Sequence, residues 1–408
     1  MQLNTHVDVE LVAVQQPDEL SILLELTAPE ARATEPRRPA AVEVVLDRSG
    51  SMAGERLEAA LAGLIALVDR LDPHDRFGVV AFDDTAQVVV PAGPVADKHG
   101  TKQAIAAIGP GGMTNLSGGL LRGVQEARRA ADQAGATLLL LSDGHANAGE
   151  TGADRLASVA AAAKRHGVTT TTVGIGLGYD ETLLAAVARG GQGNHVFAEE
   201  ADAAAAAVSG EVSGLLSRTA QAVSLLIRPT ADVASVTVFN DLPGHAVDGG
   251  VMLELGDLWA GERRKLLLGL DVPASPALGL TQVATLELRY VALPDLVEQT
   301  VTLPVSVNVV PGDQAAGRVP DPRVRSELLF QRAQQAKREA ADAIADGDEP
   351  RAMQALAAAA AQLAGSDEDE RSVVLDMAAD IDRGQAVRAA KRALADHHHK
   401  SRKRGRRM

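Results

Sequence analysis

In the stretch VVLDRSGSM, residues 44–52, a carboxylate and two hydroxyls stand at alternate positions, Asp47, Ser49 and Ser51, directly after a run of aliphatic residues. Alternate side chains of an extended segment point the same way, so three oxygens can converge on one point, and Gly50 permits a tight turn between the serines. Two distant segments carry matching chemistry. TLLLLSDG puts Asp143 just past a second aliphatic run, with Gly144 turning the chain, and GPGGMTNLSGGL sets Thr114 and Asn115 between a glycine run and a helical segment. Two carboxylates and three hydroxyls, with no His or Cys, make a hard-oxygen set. Few charges plus retained waters suit magnesium, with manganese as the competitor, whereas calcium normally takes more carboxylates.

Such a set needs buried strands to deliver it. Short, nearly continuous aliphatic runs recur at VEVVL (42–46), FGVVAF (77–82), TLLLL (137–141), VTTTTVGI (168–175) and HVF (195–197), separated by segments of helical spacing such as Leu57, Leu61, Leu64, Ile65, Val68 and Leu71. Strands of this kind suit a sheet covered on both faces, and strand–helix alternation suits parallel crossovers. The expected fold class is α/β, a doubly wound Rossmann-like domain spanning residues 40–220. FGVVAF and QVVV are separated only by DDTA, which predicts an antiparallel hairpin at a sheet edge. Ligand sites of α/β sheets lie at the carboxyl ends of the strands, where Asp47 and Asp143 fall.

The motifs DRSGSM, GGMTNL and LSDG, in this order and between these strands, together resemble the metal-ion-dependent adhesion site of the von Willebrand factor type A family. The resemblance covers about half of the chain. It implies that Ser49, Ser51 and Thr114 bind Mg2+ through their hydroxyls, and that Asp47 and Asp143 hold the ion mainly through waters and hydrogen bonds to the serines. It also implies a protein partner whose Glu or Asp fills an open coordination position. The physical sense is direct: neutral hydroxyl ligands leave the ion much of its charge, which attracts a carboxylate in a dry interface. With no Lys or His in the motifs to act as a base, a non-catalytic binding module is expected. Two rivals are a metal-dependent phosphohydrolase, which would want a second carboxylate where Ser49 stands, and a scaffold in which the ion is only structural.

Each motif residue also has a plainer reading. Asp47, Ser49 or Ser51 could cap the following helix, and Thr114 could cap the helix beginning near Leu116. Asp83 and Asp84 are expected to face water in the hairpin turn, and His145 to be an exposed loop residue. GIGLGYDE lacks the dinucleotide spacing, and the GPGG segment lacks the Gly-Lys-Ser/Thr of a phosphate loop, so nucleotide hydrolysis is not expected.

The flanks read differently. Period-two alternation at Val7, Val9, Leu11 and Ala13, and again at Val301 to Val309, predicts an antiparallel β-sandwich over residues 221–312 that two N-terminal strands within residues 1–39 complete, with the α/β domain inserted. APEARATEPRRP, residues 28–39, reads as a linker. Residues 321–396 have helical spacing for two or three helices, one hairpin being of tetratricopeptide kind or, equally, a helical cap on the sandwich. Residues 397–408, including His397 to His399 and the basic run KSRKRGRRM, are expected to be a disordered tail in which the histidines are incidental. The chain has 408 residues and a formal net charge of −14, which opposes nucleic-acid binding except through that tail. It has no Cys and no run long enough for a membrane span, and MQLNTHVDVE lacks the basic and apolar segments of a secretory signal, so the expectation is a cytoplasmic protein.

Overall fold

The computed structural model describes residues 1–30, 37–131, 135–199, 201–273, 278–316 and 318–402. The chain forms two compact units, Arg32–Arg218 and the combined segments Met1–Ala31 and Thr219–Met408. In sequence, the first is inserted within the second.

Three strands precede the insertion: β1 (Gln2–Val7), β2 (Leu11–Ala13) and β3 (Asp18–Thr27). The inserted unit then runs β4 (Ala41–Asp47), α1 (Glu55–Arg70), β5 (Arg76–Phe82), β6 (Ala86–Pro94), α2 (Lys98–Ala106), α3 (Leu116–Ala130), β7 (Ala136–Ser142), α4 (Ala153–Arg165), β8 (Val168–Ile175), α5 (Glu181–Gly190), β9 (Gln192–Ala198) and α6 (Ala201–Leu216). Its sheet has the order β6-β5-β4-β7-β8-β9. All neighbours are parallel except the β5–β6 hairpin at the edge. This is the doubly wound α/β class that the aliphatic runs predict. The chain winds outward from β4 through β5 and from β7 through β8, so the winding reverses between β4 and β7, and loops at such a point part to leave a crevice.

Every residue of β4 and of β7 is buried, because helices cover both faces. Val42, Val44 and Leu46 pack on Leu57, Leu64 and Val68 of α1, while the alternate residue Val45 faces Leu116, Leu120 and Val124 of α3. Two glycines let α3 come close. A Cβ at Gly119 would stand 2.6 Å from the Phe82 ring, and one at Gly123 would collide with Val45.

The second unit adds β10 (Arg218–Pro229), β11 (Ser235–Val238), β12 (Gly244–Val247), β13 (Gly250–Trp259), β14 (Arg263–Val272), β15 (Gly279–Ala292) and β16 (Val297–Val310). A short helix, α7 (Gly312–Ala315), precedes α8 (Pro322–Ala345), α9 (Glu349–Leu363), α10 (Glu368–Asp382) and α11 (Ala386–Arg402). Two sheets, β1-β3-β14-β11 and β12-β13-β10-β15-β16-β2, enclose one core of Leu24, Leu26, Leu225, Ile227, Leu266, Leu286 and Leu288.

Several expectations for the flanks are corrected. Three strands, not two, precede the insertion, and the alternation from Val7 to Ala13 is not one strand. The pattern breaks at Asp8–Glu10, and β1 and β2 belong to different sheets. β1 pairs antiparallel with β3, and β2 lies parallel to β16. β10 already begins at Arg218, ahead of the expected boundary at 221. The C-terminal region holds four long helices among the described residues; α8 lies on the β3–β14 sheet, where Val324 packs with Leu23 and Leu267. The tail expected from residue 397 is still α11 as far as Arg402, with His397 and His398 buried, because the helix end hydrogen-bonds to Gln331 and Gln334 of α8 and to Asn240 and Asp241 after β11. Residues 403–408 of that tail, and residues 31–36 of the expected linker, lie outside the described residues. No described helix is long and apolar enough to cross a membrane.

Candidate metal centre

The carboxyl ends of β4 and β7 bring together all five residues singled out by oxygen chemistry. Asp47, the last residue of β4, is fully buried; its Oδ1 accepts the Ser49 N–H at 2.8 Å and its Oδ2 accepts the Ser142 hydroxyl at 2.6 Å. Ser51 donates to Asp143 Oδ1 at 2.8 Å. The Ser49 and Ser51 hydroxyls lie 3.1 Å apart. Thr114 is buried beside them: a methyl group placed on Gly144 would lie 3.3 Å from Ser51 Oγ and 3.5 Å from Thr114 Oγ1.

The capping readings fail on geometry. Neither the short 3-10 turn Gly50–Met52 nor α1 takes a side-chain cap, the residue before α1 being Gly54. Asn115, not Thr114, caps α3, accepting the Gly118 N–H at 2.9 Å. Thr114 is fixed instead by its backbone: its N–H donates to Asn147 Oδ1 at 2.8 Å, and its carbonyl accepts the Asn147 N–H at 3.1 Å.

Asp83 does not face water as expected, whereas Asp84 does and also takes a hydrogen bond. Asp83 is buried and ion-paired with Arg48 at 2.6 Å, and Asp84 Oδ1 accepts the Met113 N–H at 2.9 Å. The Asp83 carbonyl takes the Asn115 N–H, Gly111 N–H donates to the Arg48 carbonyl at 2.6 Å, and Gly50 N–H to the Gly112 carbonyl at 3.0 Å. The loops carrying Ser49 and Thr114 are thus zipped together through the β5–β6 turn. Sequence reasoning gave Asp83, Asp84, Ser142 and Asn147 no part in the site. Their adjacency to the motifs was visible, but their partners lie on other loops.

The electrostatics suit a cation. Burial raises the Asp47 carboxyl above its ordinary range, hydrogen bonds from Ser142 and Ser49 oppose the rise, and the Asp143 charge adds to it. Burial also works to raise Asp83, but the Thr85 hydrogen bonds and Arg48 outweigh it and hold Asp83 below the usual range. Asp143 Oδ2 accepts from Arg56 at 2.6 Å. His145 is largely exposed and turns toward Asp180 at 3.7 Å, leaving the cluster all oxygen apart from that guanidinium. Two buried carboxylates, three hydroxyls and no ring nitrogen fit a hard dication.

Residues 42–210 match the family model of the von Willebrand factor type A domain. The uncharacterised protein sll0103 of Synechocystis is 29% identical over 262 residues, covering 60% of this chain and 61% of that protein. YfbK of Escherichia coli is 27% identical over 244 residues, covering 57% of this chain and 42% of YfbK. The chain therefore spans less than two thirds of the length of either relative. Among solved structures, a von Willebrand factor type A protein from Catenulispora acidiphila superposes with a TM-score of 0.75 at 19% identity, over 93% of this chain and 89% of that one. The ArnB paralog VWA2 from Sulfolobus acidocaldarius gives 0.66 at 14% identity, over 99% of both chains. At these identities the likeness is one of fold.

Proposed function

Residues 42–210 of this chain are a von Willebrand factor type A domain, and from that premise we propose that it is a Mg2+-dependent binding module that captures an acidic side chain of a protein partner. The observation that carries this reading is the meeting of three loops' oxygens at the β4/β7 switch point, with Ser51 Oγ 3.1 Å from Ser49 Oγ and 2.8 Å from Asp143 Oδ1. Ser49, Ser51 and Thr114 would supply neutral hydroxyls, and Asp47 and Asp143 the compensating charge. When bound, magnesium or manganese would supply a Lewis-acidic point at which a partner carboxylate can dock.

The residues do the rest. Asp47, clamped by the Ser49 N–H and the Ser142 hydroxyl, holds the first loop in register with β7. Asp143 orients Ser51 and is itself held by Arg56. Both carboxylates are engaged, and no His or Lys stands in the cluster to activate water, which favours binding over hydrolysis.

The test is a Ser49→Ala/Ser51→Ala double variant. Magnesium binding by calorimetry and magnesium-dependent retention of a protein partner are both expected to be lost, with the circular dichroism spectrum unchanged. Retention that survives the double substitution and chelator would reject the reading. Release of phosphate from an aryl phosphate, abolished by Asp47→Asn, would favour a hydrolase instead.

A further inference from the structure

In the unit outside the α/β domain, three ligand-type side chains converge that play no part in the oxygen site. Asp241 comes shortly after β11, and His397 and His398 are neighbours on α11. Their coordinating atoms all lie within 4.8 Å of one another. Asp241 Oδ2 is 3.7 Å from His397 Nε2 and 3.1 Å from His398 Nδ1. Adjacent ligands of a tetrahedral zinc-class ion, each about 2.0–2.1 Å from the metal, stand about 3.3 Å apart. The two observed distances bracket that value.

The protonation pattern of His397 leaves it ready to ligate. Its Nδ1 lies 2.9 Å from the Gln334 carbonyl oxygen, which can only accept, so Nδ1 carries the hydrogen and Nε2 the lone pair. Metal-binding histidines are commonly oriented by this kind of bond from the far ring nitrogen. Nε2 is buried, has no hydrogen-bond partner among the described residues and faces a carboxylate oxygen, which offers it no proton. His398 Nδ1 lies 3.1 Å from the same Asp241 Oδ2, so two imidazole nitrogens converge on one carboxylate oxygen, a grouping that a dication can bridge.

We propose that Asp241, His397 and His398 form a site for a first-row transition-metal dication of the zinc class, which ties the C-terminal helix to the segment after β11. Two imidazoles and one carboxylate select zinc, cobalt or nickel over magnesium, the opposite preference to the all-oxygen site. The surroundings suit the task. Asn240 Nδ2 donates to the Ser401 carbonyl at 2.7 Å and Asp241 N–H to the Ser401 hydroxyl at 2.8 Å, so the helix end and the β11 loop are already in register. Asp241 and His397 also border a cavity of about 270 Å³ whose walls include Gln335, Glu339 and Asp342, with room for a water as fourth ligand.

The experiment uses the full chain, stripped with chelator and titrated with Co2+ in excess Mg2+, added to fill the proposed oxygen site. One equivalent of cobalt is expected to develop the intense visible bands of tetrahedral coordination, and Zn2+ to displace them. His397→Gln and His398→Gln are each expected to weaken binding by more than about 100-fold, beyond the loss typical of a supporting residue. Ser49→Ala/Ser51→Ala should leave the bands intact, which separates this site from the α/β one. Absence of the bands in the wild-type chain, their survival in a folded His397→Gln variant, or their loss only in the serine double variant would each overturn the proposal. The wild-type titration decides by itself if the histidine variants do not fold.

Discussion

Asp83 offers no oxygen to the proposed ion, yet the placement of Thr114 depends on it. Its carboxylate pairs with Arg48 and its carbonyl takes the Asn115 N–H, so one residue links the loop of Ser49 to the loop of Thr114. Removing a buried, hydrogen-bonded charge leaves its partner uncompensated and costs on the order of 1–3 kcal/mol. Supporting residues of metal sites typically cost about 10–100-fold in affinity. Asp83→Ala is therefore expected to lower the urea midpoint and to weaken magnesium binding by about tenfold or more in a calorimetric titration, with all five proposed ligands intact. Unchanged magnesium affinity in the folded variant would show that the Thr114 loop holds its shape without this link.

At the scale of the element, β4 carries a second acid that the site does not use. Glu43 is completely buried, its two carboxylate oxygens have no hydrogen-bond partner among the described residues, and it fits only because its sheet neighbour is Gly78. Burial, with the Glu126 charge adding to it and Arg122 opposing, pushes the Glu43 carboxyl up to about 9. A raised carboxyl binds its proton more tightly in the folded chain than in the unfolded one. Its contribution to stability is therefore complete below the unfolded value of 4.5 and declines as pH rises toward 9. Glu43→Gln removes this dependence. The variant should match the wild type near pH 5 and exceed it by on the order of 3 kcal/mol at pH 7. Urea unfolding of both proteins from pH 5 to pH 9 checks this, and parallel curves would refute it.

At the scale of the molecule, the two units have separate apolar cores, one built round β4 and β7 and the other between the two outer sheets. Differential scanning calorimetry is therefore expected to resolve two transitions. A ligand stabilises only the unit that binds it, and magnesium at 100 times its dissociation constant adds about 2.7 kcal/mol. One transition should move upward with magnesium and the other stay in place, and neither should move in the Ser49→Ala/Ser51→Ala variant. A single transition that moves with magnesium would mean that the units unfold as one, and a shift of both transitions that they are coupled.

The α/β order, the β5–β6 hairpin and the five oxygen residues were legible in the sequence, because each rests on local physics: buried parallel strands need unbroken aliphatic runs, and the loops leaving their carboxyl ends display their side chains at the sheet edge. Pairing over distance was not legible. Val7 to Ala13 alternates as a single strand would, and only the two-sheet packing breaks it between β1 and β2. The roles of Asp83 and Ser142 depend on partners from other loops. His397 and His398 read as part of a solvated end because nothing nearby in sequence could bury them; Asp241, 157 residues from His398, and the underside of α8 do so. Periodicity and motif chemistry state which groups a segment can offer, and the tertiary structure alone decides which groups from elsewhere will meet them.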